Sequence, residues 1–289
     1  MGIVFLLILG VLGIEAASWA SPWMAWPDLH GEALDREWAE LQARTATHPM
    51  CQADPSALDE ALASHEPVQD DVAEILYDHD ERIVPVRAFP AAAQRSGELL
   101  VDWAASDGGV GAVGVNDSGR TMDLFRLGQA AASSDDPARV HAALRLAEGL
   151  RHCGPLVSGA VGMAITDAAQ GLHPDVVDAH PDLRPSADDL LAILHAEAVT
   201  GDIMIELLDD PSLGSGWEGW LLDPERERAM LRAMWVQRLA GLPADTAAIR
   251  AAFPRQEPEE MPHSLVLRLM LVGVATVVDD LATSIDAAP

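Results

Sequence analysis

The chain contains no lysine. All 18 of its basic residues are arginine, set against 46 acidic ones, which leaves a formal net charge of −28 over 289 residues. Without lysine there is no P-loop, because that loop needs a lysine to reach the nucleotide phosphates. The shortage of positive charge excludes more. A surface this negative repels nucleic-acid phosphates and anionic lipid headgroups, so no nucleic-acid partner is expected. Basic proteins and divalent cations are the electrostatically favoured company. Apolar residues nevertheless make up 49% of the chain, enough for a real core and too many for a disordered polyanion.

Membrane-length apolar runs are lacking at the N-terminus as well. Residues 3–14, IVFLLILGVLGI, are uncharged and are followed by Glu15. That run falls short of the roughly 20 residues needed to cross about 30 Å of hydrocarbon. It has the dimensions of a signal-peptide core, and Ser18-Trp19-Ala20 supplies small residues for cleavage after Ala20, although no basic residue precedes it. A second reading keeps the segment as an anchor. Trp19, Trp23 and Trp26 would then share one helical face at the headgroup level, with the membrane a partner through residues 1–26. Both readings place the protein in the periplasm or cell envelope. There the only two cysteines, Cys51 and Cys153, are candidates for a single disulfide. Such a bridge would close a loop of about 100 residues, worth up to about 4.7 kcal/mol in the chain-entropy model.

Strand signals are scarce. RIVPVRAF is interrupted by Pro85, and LLVDW at 99–103 reads equally well as the end of a helix that begins near Pro90. Helical signals fill the rest. Leu34, Trp38 and Leu41 share a face, and Asp-Pro recurs as a helix start at Asp54, Asp136 and Asp223. Val140, Ala143, Leu144, Ala147 and Leu150 make an apolar stripe. Gly154-Pro155 ends one helix and opens the next, which runs through Val157, Val161, Ala164 and Ile165 to Gly171. Ser186 with Asp189 forms a capping box. The expectation is an all-α protein, with an irregular bundle of eight to nine helices over residues 27–289. A glycine-rich interhelical loop would provide a sub-lobe division near residues 107–120.

That loop contains GVGAVG, a literal G-x-G-x-x-G at residues 109–114. A dinucleotide fold needs a strand immediately before the motif and a helix starting within it. Here Asp107-Gly108 precede it and turn formers follow, so a flexible connector is expected and no nucleotide cofactor.

The remaining candidates are local. His173, Asp175, Asp178 and His180 place four ligand-type side chains within eight residues, a candidate metal cluster. His-Pro-Asp occurs twice in that stretch and resembles the signature of J-domain cochaperones at those tripeptides. The helix before it, AVGMAITDAAQG, has no basic residue of the kind that docks that family's partner. His48 with Cys51, and His152 with Cys153, assemble into a zinc site only on paper, since adjacent residues rarely both face one ion. Trp217 and Trp220, beside glycines, are candidate interaction residues for a protein partner in the envelope. Gly159, Gly162 and the Ala160/Ala164 pair favour close helix packing, internal first and between copies of the chain second. No catalytic motif is present: there is no G-x-S-x-G, H-E-x-x-H or C-x-x-C-H. A non-catalytic binding role is therefore expected, with metal binding or metal-dependent catalysis at residues 173–182 as the alternative.

Overall fold

A computed structural model describes residues 32–45, 47–65, 91–106, 108–111, 118–208, 224–254 and 265–287. The N-terminal apolar segment, the Pro85 stretch, and Trp217 and Trp220 lie outside the described residues. Within them every regular element is helical. In chain order these are α1 (Glu32–Arg44), α2 (Pro49–Gln52), α3 (Ser56–Ala63), α4 (Ala91–Ala105), α5 (Ser118–Ala132) and α6 (Pro137–Cys153). There follow α7 (Leu156–Leu172), α8 (Pro174–Ala179), a 3-10 turn (Pro181–Leu183), α9 (Ala187–Leu208), α10 (Pro224–Leu239), α11 (Thr246–Ala252) and α12 (Leu265–Ala287). That makes twelve α-helices where the sequence predicts eight to nine. The surplus lies in α2, α8 and α11, of four to seven residues each, too short to show a helical period. No helix among the described residues is long and apolar enough to cross a membrane.

The helix starts follow from local chemistry. Asp136 accepts a hydrogen bond from the Ala138 amide at 3.0 Å, and Pro137 occupies the first turn of α6, where its missing N–H has no partner to lose. Ser186 and Asp189 cap each other at the start of α9. The Asp189 carboxylate accepts from the Ser186 amide at 2.7 Å, and Ser186 Oγ accepts from the Asp189 amide at 3.3 Å. Asp245 caps α11 through the Ala248 amide at 2.8 Å.

The chain divides into two compact units, Ala46–Ile193 and Met1–Thr45 with Leu194–Pro289. In the 46–193 unit α6 is the central helix. It packs most extensively on α7, then on α5 and α4, with α2 and α8 also against it. From Val140 to Cys153 every residue is buried except His141, Arg145, Glu148 and His152. The core around it joins Leu58, Leu100, Trp103, Leu124, Leu127, Leu144 and Leu150. Helices α6 and α7 approach closely because Gly162 has no side chain. A Cβ there would lie 2.6 Å from the Ala147 carbonyl oxygen. At the start of α7 Val157 faces outward, 65% exposed, while its neighbour Leu156 is buried.

The described part of the glycine-rich loop is anchored, and a flexible connector is the wrong description for residues 108–111. The Val110 amide donates to the Met50 carbonyl at 2.9 Å and the Gly109 amide to the Asp54 carbonyl at 3.2 Å. Trp103 Nε1 donates to the Gly109 carbonyl at 3.0 Å, and Val110 is fully buried. Gly109 is required by the approach itself, since a Cβ would fall 2.1 Å from the Ala53 carbonyl oxygen. The residues that match a nucleotide fingerprint serve as a packing strap against α2 and α3.

In the other unit α10 packs on α1 and α12, and α11 on α12. Met230, Leu231, Met234, Trp235 and Leu239 of α10 are all buried, as their spacing predicts. Asp202 takes both Arg232 nitrogens at 2.8 Å, and the same guanidinium sits over the Trp38 ring.

Candidate functional site

The four partly exposed residues between Val140 and Cys153 of α6, His141, Arg145, Glu148 and His152, follow a spacing of four, three and four. They therefore form one polar stripe along an otherwise buried helix. Arg145 Nη1 donates to Glu148 Oε2 at 2.7 Å. A second histidine from elsewhere in the chain lies against each end. At one end the His180 ring meets His141 with centroids 4.2 Å apart and a 38° tilt. At the other, His48 stacks on His152 at 4.2 Å with only 5° between the planes.

His48 is brought there by covalent chemistry. It directly precedes α2, whose Cys51 is bonded to Cys153 at the end of α6, with the Cα atoms 5.1 Å apart. The bond spans 102 residues of sequence and fixes the start of α2 beside the last turn of α6. Both cysteines are consumed in the bond and are not metal ligands. The two histidines that flank them are the groups that meet.

Beneath His152 lies Asp189. His152 Nε2 donates to Asp189 Oδ1 at 2.9 Å, while Oδ2 accepts from the amide and hydroxyl of Ser186. The Arg151 Nε lies 3.5 Å from the same carboxylate. Arg151 itself is 1% exposed and donates to Thr166 Oγ1 at 3.0 Å and to the Leu183 carbonyl at 2.8 Å. Burial alone would raise the Asp189 pKa. The His152 hydrogen bond, the Arg151 charge and the Ser186 hydroxyl outweigh it and hold the carboxyl down at about 2. One carboxylate therefore caps α9, neutralises a buried arginine and fixes a histidine ring.

His48 is set by its burial. Burial, then the neighbouring His152 and Arg145, lower its pKa, with only Asp189 acting the other way. The ring is neutral near pH 7. Its Nε2 lies 3.9 Å from Glu148 Oε1, a contact between a neutral ring and a carboxylate and not an ion pair. His48 Nδ1 is enclosed without a hydrogen-bond partner. His141 is likewise lowered by burial, then by His180 and Arg145, with Asp182 opposing.

Among the described residues, the histidine, cysteine and carboxylate donors that cluster in threes or more are His48, Glu148 and His152, whose ligand atoms lie within 4.8 Å of one another. His48 and His152, weighed in the sequence beside the cysteines, thus meet with Glu148 in place of a thiolate, whereas the cluster expected at His173–His180 forms no such group. His173 caps α8, Asp175 lies in its first turn, Asp178 pairs with Arg184, and His180 turns to His141. A shallow depression of about 510 Å³ beside Asp54 and Glu60 brings no comparable set together.

In comparison with known proteins, the chain matches no family model, no curated protein and no solved structure.

Proposed function

We propose that this is an exported or membrane-tethered acidic protein of the cell envelope. In this reading it is an irregular multi-helix bundle that binds a protein partner and does not catalyse a reaction. The observation that carries the proposal is the Cys51–Cys153 bond, since such bonds persist in oxidising compartments. The apolar run at residues 3–14 supplies a means of export or tethering. A binding role is favoured because the charged groups of the α6 region neutralise one another. Arg145 is held by Glu148, Arg151 by Asp189, and Asp178 by Arg184. With a net charge of −28, a basic protein surface is the complementary partner, and a second copy of this chain is disfavoured by repulsion unless salt screens it. Metal binding at His173, Asp175, Asp178 and His180 draws less support, because two of the four already have partners elsewhere.

The test is fractionation of cells that make the full chain, with thiol labelling of the unreduced, unfolded protein. The expected outcome is recovery with the envelope or periplasm and no labelled cysteine. Recovery from the cytosol with both thiols labelled would overturn the proposal. Crosslinking in intact cells then separates binding from isolation, since a scaffold yields a discrete adduct with a second protein.

A further inference from the structure

The place where His48, Glu148 and His152 meet was assembled by the disulfide from distant parts of the chain, and its donor set is specific. We propose that these three residues bind one divalent transition-metal ion of the zinc class. Two imidazoles and one carboxylate leave a fourth position open to water or to a group from a partner.

Four observations carry the proposal. Glu148 and His152 stand one helical turn apart on the polar stripe of α6, so both project to the same side. One donor atom from each of the three residues lies within 4.8 Å of the others, and His48 Nε2 is 3.9 Å from Glu148 Oε1. Ligands about 2.0–2.1 Å from a tetrahedral ion sit about 3.4 Å apart, so closure requires only small side-chain movement. Supporting groups are already in place. Asp189 accepts from His152 Nε2, the carboxylate–histidine arrangement that fixes a tautomer and strengthens the ring's other nitrogen as a ligand. Arg145 holds Glu148 by Oε2 and leaves Oε1 toward His48.

The stacked rings show what must move. Planes only 5° apart send the two lone pairs side by side, and a single ion needs them to converge. His152 is fixed by Asp189, so His48 is the ring that turns. Its Nδ1 has no hydrogen bond to lose in doing so. Imidazole nitrogen also sets this site apart from the exposed carboxylates. The many exposed carboxylates attract hard cations such as Mg²⁺ weakly and everywhere, whereas a two-histidine site prefers zinc, copper or nickel.

The experiment uses the tag-free full chain with its disulfide intact, stripped with chelator. Zn²⁺ is titrated against a chromophoric competitor in excess Mg²⁺, and Co²⁺ is added separately as a spectroscopic probe. One tight Zn²⁺ per chain is expected, with intense visible Co²⁺ bands of a four- or five-coordinate site. His48→Gln and Glu148→Gln should each weaken Zn²⁺ binding at least about tenfold. His141→Gln, at the far end of the stripe, should leave it unchanged. Binding that Mg²⁺ abolishes, or a wild-type Co²⁺ spectrum of the hexaaqua ion, would overturn the proposal whether or not any variant folds. So would wild-type affinity in both His48→Gln and Glu148→Gln. This inference shares the Cys51–Cys153 bond with the envelope reading but is tested separately: a cytosolic chain that binds zinc would sink only the latter.

Discussion

Asp189 is the residue on which most local structure converges. Its two oxygens meet a helix N-terminus, a buried guanidinium and a histidine ring, and it is itself only 4% exposed. Removing it would leave Arg151 charged, enclosed and without a counter-ion. Breaking such a pair from one side costs about 3–5 kcal/mol, because the surviving charge keeps its desolvation penalty. Asp189→Ala should therefore lower the urea midpoint by an amount in that range at an unchanged slope. The comparison is Asp59→Ala, which removes the partner of Arg120 from a pair in which Asp59 is 53% exposed. That change should cost no more than about 1 kcal/mol. Equal losses in the two variants would show that the buried carboxylate is not the anchor described here.

At the scale of elements, α7 offers a test within one helix. Gly162 faces the Ala147 carbonyl across the α6–α7 contact, whereas Gly171 has nothing within 4 Å. Gly162→Ala forces the two backbones apart and should destabilise by about 1–3 kcal/mol. Gly171→Ala should instead be neutral or stabilise by up to about 1 kcal/mol, from helix propensity alone. Thermal melts of the two variants moving in the same direction would contradict the packing argument. Much at this scale was legible from residues. The Asp136-Pro137 start, the Ser186/Asp189 box and the buried faces of α6 and α10 all follow from local rules. The candidate site was legible only in part. His48 and His152 stand out beside the two cysteines, but their contact with each other and with Glu148 rests on the Cys51–Cys153 bond and the packing of α2 on α6, and no periodicity reaches across that distance. The part of the signal that was present, the spacing of His141, Arg145, Glu148 and His152, is masked by the stronger apolar stripe on the same helix. Asp189 is legible as a cap, and only the fold reveals that the same carboxylate also meets Arg151 and His152. The strap at residues 108–111 was misread because glycine serves a tight backbone approach as well as it serves flexibility.

For the whole molecule, acid acts in two opposed ways, and their balance can be worked out. His48, His65, His141 and His195 all have their pKa values lowered, with burial the largest cause in each. In the unfolded chain these rings take up protons near pH 6.5. As pH falls through that value, the unfolded state binds protons that the folded state refuses, so folding loses stability below about pH 6.5. Asp189 does not contribute in this window. Its folded value of about 2 lies below the unfolded one, so its contribution is intact above about pH 4 and lost only as pH falls toward 2. Against the histidines stands the net charge of −28, whose self-repulsion eases as exposed carboxylates begin to protonate. Salt separates the two effects, since repulsion among exposed charges is screened beyond about 8 Å at physiological ionic strength and beyond about 3 Å at 1 M. Buried rings are screened far less. Urea midpoints measured in 1 M salt should therefore fall steadily from pH 7.5 to 5.5, while the same series at low salt should be flatter. His141→Gln should make the high-salt slope shallower, because one of the four proton-refusing groups is gone. A high-salt series that is flat or rises toward pH 5.5 would mean that these rings are charged in the folded protein.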